Sequence, residues 1–158
     1  MNIKKIEITV YEAADIRELS REDAALLAKA AEATGNAYAP YSQFHVGAAV
    51  LLENGEVICG SNQENAAYPS GLCAERVALF YATSRFPEAA VRAIAIHSST
   101  GGQAGPEPVY PCGACRQVLL ECESRSGRPL KVIMGGVQKI QIVNSASELL
   151  PLNFHLSH

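Results

Sequence analysis

Two short stretches, Cys73-Ala74-Glu75-Arg76 and Pro111-Cys112-Gly113-Ala114-Cys115, constrain the fold of this chain more than anything else in it. Each stands where a helix is expected to begin, the first just ahead of the apolar run VALFYA at 77–82. A thiol, a carboxylate and a guanidinium within four positions are costly to bury unless each has a partner. Either these groups satisfy one another, or they surround something that is not an amino acid.

The segments between them read as alternating strands and helices. Residues 6–11 (IEITVY) alternate apolar and polar, which predicts a short extra strand. Ser20 with Asp23 resembles a capping box and Gly35 a stop, so 21–34 is a predicted helix. VGAAVLLENGEVICGSN predicts two strands joined by a hairpin at Asn54-Gly55. A helix is predicted from near Gly71 to Phe86, ended by Pro87, then a buried strand at 92–98 and a breaker-rich loop at 101–108. Another helix is predicted from Pro111 to just before Gly127. LKVIMG and KIQIV add two strands, and SASELL a short last helix. This order predicts an α/β fold, a mixed sheet with helices on both faces, in a single domain spanning 1–158 with an N-terminal extension at 1–15.

Composition narrows the function. The chain has 158 residues, 48% of them hydrophobic, enough for one proper core. A net charge of −3 and a pI near 5.8 offer no broad basic surface, so neither a nucleic-acid partner nor an anionic membrane is expected. No apolar run is long enough to span a bilayer, and MNIKKIEITVYEAAD mixes charges into its apolar stretch, unlike a secretory signal. Five cysteines, an odd and irregularly spaced set, argue against a disulfide framework and for a cytoplasmic location.

The cysteines then explain the opening pattern. Cys112 and Cys115 have Cys-x-x-Cys spacing at a helix start, and Cys73 adds a third thiolate at another. Three protein ligands with an open fourth position describe a catalytic zinc site, whereas structural sites are closed by four. Helix N-termini favour thiolates over thiols. Glu75, two residues after Cys73, is placed to exchange protons with a water on the metal. Arg76 is placed to offset the surplus negative charge of three thiolates on one Zn²⁺. Plainer readings exist for each part. Cys112 and Cys115 alone could be a redox pair, and Arg76 an ordinary surface ion pair. A closed zinc site could recruit only Cys59, Cys122 or a histidine. Cys122 lies seven residues beyond Cys115 on the same helix face, roughly 10 Å along the axis. Cys59 sits in a strand-like run and, like Cys122, is read as a core thiol. His45, His97, His155 and His158 show no ligand spacing.

CAERVAL with PCGACRQVLLE resembles the zinc-dependent cytidine deaminases, the short, homotetrameric, three-cysteine type. The likeness extends through YSQFHVGAAVL at 41–51 and GSNQENAAYPSGLCAER at 60–76 to ELLPLNF at 148–154. It implies a three-layer α/β/α fold with a mostly five-stranded mixed sheet. It also implies hydrolytic deamination of cytidine and 2′-deoxycytidine in pyrimidine salvage, by zinc-bound hydroxide attacking C4. On that resemblance Cys73, Cys112 and Cys115 hold one Zn²⁺ per subunit and Glu75 shuttles protons. Asn62 and Glu64 resemble the pair that binds the ribose, and the backbones of Ala66 and Ala74 those that read the base edge. Phe44 matches an aromatic against the pyrimidine, its plainer reading being a core position that the resemblance disfavours, and Tyr68 lies near the sugar. Phe154 matches a C-terminal aromatic that closes a neighbouring subunit's pocket; its plainer reading is packing of its own tail.

Other classes remain open from sequence. A blasticidin-S-type or other small-molecule aminohydrolase shares CAE and PCGxCRQ but has no need of the Asn62 and Glu64 clamp. A non-enzymatic zinc module has no use for Glu75. A small-molecule nucleoside is the expected substrate, and a homotetramer the expected assembly: VALFYA is apolar all round and needs covering on more than one side.

Overall fold

The computed structural model describes residues 1–155; His158 lies outside them. Ser20 starts the first helix, α1 (Arg21–Ala33), its hydroxyl accepting from Asp23 N–H at 3.1 Å. The other half of the expected box is absent, because the Asp23 carboxylate turns to Lys131 Nζ at 3.0 Å. Strand β1 is Tyr11–Ala13 rather than 6–11, since pairing with a neighbour reaches only those residues.

The hairpin strands are β2 (Phe44–Leu52) and β3 (Val57–Ser61), with Gly55 at φ +87°, where a side chain would be strained. Helix α2 (Ala74–Arg85) begins three residues later than expected, after a 3₁₀ turn at Tyr68–Ser70 and an extended step through Cys73. Strand β4 (Val91–Thr100) continues into β5 (Gln103–Ala104), two paired residues inside the predicted loop. Helix α3 (Gly113–Ser126) ends on Gly127 at φ +63°. Strands β6 (Lys131–Gly135) and β7 (Ile140–Val143) follow, then Ala146–Leu149 as a 3₁₀ turn in place of the predicted α-helix.

The strands form one sheet in the order β1-β7-β6-β4-β2-β3, with β5 on β4. Five of them make the expected central sheet, while β1 and β5 lengthen it at its margins. Only the β4–β6 ladder is parallel, as the α3 crossover between them requires. Helices α2 and α3 cover one face over Leu79, Ile94, Ile96, Leu119 and Met134, and α1 covers the other over Leu27, Ala95 and Ile133. Fully buried Leu and Ile side chains such as Leu79, Ile94 and Leu119 contribute about 1.5–3 kcal/mol each. Two glycines set how closely the layers approach. A Cβ on Gly47 would lie 2.1 Å from the Ala30 carbonyl oxygen of α1, and one on Gly60 2.6 Å from Ala78 N of α2. Gly60 therefore lets the first turns of α2 rest directly on β3.

Candidate metal and active site

Cys73 and Cys112 are the N-caps of α2 and α3, both in extended backbone and neither using its side chain as a cap. Both thiols thus sit at helix N-termini, where the helix dipole favours the thiolate form. Cys115, one turn into α3, is fully buried. The sulfurs of Cys73 and Cys112 lie 3.8 Å apart, those of Cys112 and Cys115 3.5 Å, and all three within 4.8 Å of one another. Thiolates at about 2.3 Å from a tetrahedral zinc stand about 3.8 Å apart, so the trio fits that ion. Among the described residues no fourth donor joins the cluster.

Charge in the cluster is arranged asymmetrically. The Cys115 thiol hydrogen-bonded to it, with help from Arg76 and Cys112, holds Cys73 down at about 5. Its bond to Cys73 and its burial push Cys115 the other way. Cys73 lies beside the Arg76 guanidinium, whose Nη2 is 3.7 Å from its sulfur. Arg76 Nε is buried without a hydrogen-bond partner among the described residues. Glu75 is 4% exposed on the first turn of α2, and burial pushes its carboxyl up, with the Cys73 charge adding to the effect. A buried carboxyl inclined to hold a proton, next to a metal cluster, is equipped for proton transfer.

The other candidate residues lie along a run clamped beside the cluster. Gln63 and Leu72 exchange both backbone hydrogen bonds, at 2.9 and 3.0 Å, and Glu64 N–H donates to the Tyr38 carbonyl at 2.8 Å. That pairing fixes 62–64 next to the residues leading into Cys73. Asn62 uses its amide on the start of β2, accepting from Val46 N–H at 2.8 Å and donating to the Phe44 carbonyl at 2.9 Å. One N–H and one lone pair of that amide remain. Glu64 Oε2 accepts from Tyr41 and Ser42 N–H at 3.0 and 3.3 Å, and hydrogen bonding from Ser42 is the main cause of its lowered pKa. Tyr68 is exposed and meets Tyr41 ring to ring at 6.4 Å, Ala66 is exposed, and Ala74 is buried as the first residue of α2. Phe44 is 39% exposed at the mouth, not in the core.

Some residues stand elsewhere than the sequence suggests. Cys59 is exposed on the edge strand β3, not in the core. Cys122 packs against the α2–α3 core as expected. Phe154 is 70% exposed, so its ring does not pack into its own chain. The sequence reading overlooked Arg116 and Gln117, although both follow Cys115 directly in the quoted motif. Arg116 donates to the Pro111 and Leu149 carbonyls at 2.9 and 3.0 Å, tying the cysteine loop to the C-terminal tail. Gln117 donates to the Phe154 carbonyl at 3.1 Å.

A family model described as the cytidine and deoxycytidylate deaminase zinc-binding region matches residues 20–127. The cytidine deaminase of Halalkalibacterium halodurans is 46% identical over 127 residues, which cover 80% of this chain and 89% of that protein. That of Sporosarcina psychrophila is 40% identical over 127 residues, covering 80% and 86%. The crystal structure of cytidine deaminase from Burkholderia pseudomallei is similar with a TM-score of 0.71 at 40% identity, covering 86% of this chain and all of that one.

Proposed function

The chain belongs to the cytidine and deoxycytidylate deaminase family, and from that premise we propose that it hydrolyses cytidine and 2′-deoxycytidine to uridine and 2′-deoxyuridine, releasing ammonia. The observation that carries this reading is the sulfur triangle of Cys73, Cys112 and Cys115 with the buried Glu75 on the same helix turn. These three cysteines would hold the zinc ion, which when bound supplies Lewis acidity and brings a water in its open position to ionise near neutral pH.

The remaining chemistry belongs to side chains of this chain. Glu75 takes a proton from the attacking water and passes it to N3 of the pyrimidine, which makes C4 electrophilic. It then takes the proton of the new C4 hydroxyl and delivers it to the amine, so that C4=O forms as the C4–N bond breaks and ammonia leaves. Its burial supports this role, because a carboxyl pushed upward holds a proton more readily than an exposed one and can pass it on. Arg76 offsets thiolate charge that would otherwise blunt the Lewis acid. The free lone pair of Asn62 and the second oxygen of Glu64 bind the ribose hydroxyls, with the rest of each group held by β2 and the Tyr41–Ser42 turn. Phe44 packs on the base and Tyr68 near the sugar, while the backbones of Ala66 and Ala74 read the base edge.

This side of the single chain is open, with Tyr41, Phe44, Tyr68 and Phe154 all exposed. On α2, Phe80 is 47% exposed and Tyr81 59%. A homotetramer in which Phe154 of one subunit closes a neighbour's site accounts for both features. Thiols that must stay reduced to bind the metal support a cytoplasmic location. Among the described residues no helix is long and apolar enough to cross a membrane.

The decisive experiment is Glu75→Gln, assayed for zinc and for ammonia release from cytidine. The variant is expected to keep one zinc per chain while turnover falls about 10²–10⁴-fold or more, since an amide cannot carry the proton. Near-normal turnover in zinc-replete Glu75→Gln protein refutes the assignment.

A further inference from the structure

The N-terminal segment precedes the residues matched by the family model, and no site residue lies on it. Its strand β1 is the margin of the sheet, with β7 on one side and, among the described residues, no strand on the other. Residues 1–10 make no ladder; one contact to the body is Thr9 N–H donating to Glu148 Oε2 at 3.2 Å. Yet Ile6, Ile8 and Val10 alternate as in a strand and are 49%, 47% and 43% exposed. An apolar, unpaired edge of this kind is a template for another strand, and chains that avoid such pairing protect the edge with proline, bulges or charge. No proline or bulge interrupts 6–11, and Glu7 is its one charge.

We propose that residues 3–13 pair antiparallel with the same segment of a second copy of this chain, centred on Ile8. The sequence selects both partner and register. In that register Ile8 faces Ile8, Ile6 faces Val10 and Lys4 faces Glu12, all on one face of the ribbon. On the other, Glu7 faces Thr9, Lys5 faces Tyr11 and Ile3 faces Ala13. Every pairing recurs by the two-fold symmetry, as a contact between identical copies requires. Lys4 and Lys5 balance Glu7 and Glu12, so two copies meet without net repulsion. Moving the centre one residue to Glu7 sets like charges directly opposite, and moving it to Ile6 sets Ile8 against Lys4; both mismatches are unfavourable. Pairing extends β1 and joins the two sheets into one, with the deaminase sites left untouched.

Single cysteines read the register. Residues facing each other across an antiparallel pair have Cα atoms about 4.5–5.5 Å apart, within disulfide reach. Two copies of residue 10 would lie about 13 Å apart along the strand, out of reach. Under mild oxidation with diamide, Ile8→Cys is expected to run mainly as a disulfide-linked dimer on non-reducing gels. Ile6→Cys and Val10→Cys alone should stay at the background of the parent protein, and the Ile6→Cys/Val10→Cys double variant should cross-link again. Ile8→Pro should abolish hydrogen-exchange protection of amides 5–9 while turnover per subunit is unchanged. Equal cross-linking at 6, 8 and 10, or none at 8, overturns the proposal, as does lack of amide protection in the parent protein. Because turnover is read separately, a failure here is distinguishable from failure of the deaminase reading.

Discussion

Glu123 offers a quantitative test of how the C-terminal tail is held. Its carboxylate, half-buried on α3, accepts from Leu130 N–H at 2.8 Å, Ala146 N–H at 2.7 Å, the Ser145 hydroxyl at 2.7 Å and Ser147 N–H at 3.2 Å. It thereby joins α3 to the start of β6 and to the turn that leads into Phe154. Leu130 and Ala146 are fully buried, so water cannot replace the lost acceptor at either. Glu123→Ala leaves two buried N–H groups unpaired at about 1–3 kcal/mol each, about 4 kcal/mol together. For a chain of this length that is a fall in Tm of about 8–16 °C. Glu123→Gln can keep its oxygen on both buried N–H groups, which share Oε2, and turn its NH₂ to the Ser145 hydroxyl and Ser147 N–H, so a clearly smaller fall is expected. Thermal unfolding at fixed protein and zinc concentrations measures both, because assembly and metal shift the midpoint. A fall below about 2 °C for Glu123→Ala, or equal falls for Ala and Gln, would refute the reasoning.

Three further outcomes are expected. Cytidine should be deaminated far faster than free cytosine, and Glu64→Ala should narrow that gap through turnover as well as affinity; equal rates on both substrates in the parent enzyme remove the ribose clamp. Light scattering should report a tetramer, and Glu75→Gln subunits carrying Phe154 should partly restore activity to Phe154→Ala subunits in mixed assemblies; a fully active monomer ends that reading. Burial holds His97 below its usual 6.5, so as pH falls through that value the unfolded chain takes up the proton first. Stability linked to His97 is therefore complete above about pH 6.5 and is lost below it. Asp15, the charged group lining the same hollow, is paired with Arg17. The Tm of His97→Gln should decline less between pH 7 and 5 than that of the parent; identical slopes rule His97 out.

Several features of this protein were already determined by the sequence. The ligand pattern was legible because each part is local: a cysteine at a helix start, Glu75 two residues on, and Cys-x-x-Cys within one turn. The hairpin at Asn54-Gly55, the Ser20 cap and the Gly127 stop were legible for the same reason, since each is decided within four residues. What sequence could not give depends on partners far along the chain. Asp23 left its expected cap for Lys131, 108 residues away, because a cation there outcompetes one backbone N–H. Strand β1 shifted to Tyr11–Ala13 because a strand's limits are set by its neighbour, here β7, and not by its own alternation. Cys59 has the local pattern of a core residue, but β3 is an edge strand and leaves it exposed. Neither Arg116 nor Glu123 stood out in the sequence, because the tail carrying Ser145, Ala146 and Leu149 supplies their partners only by folding back over α3. Helix starts and turns are fixed by neighbours in sequence; edges, covered faces and long-range hydrogen bonds are decided only when the layers pack.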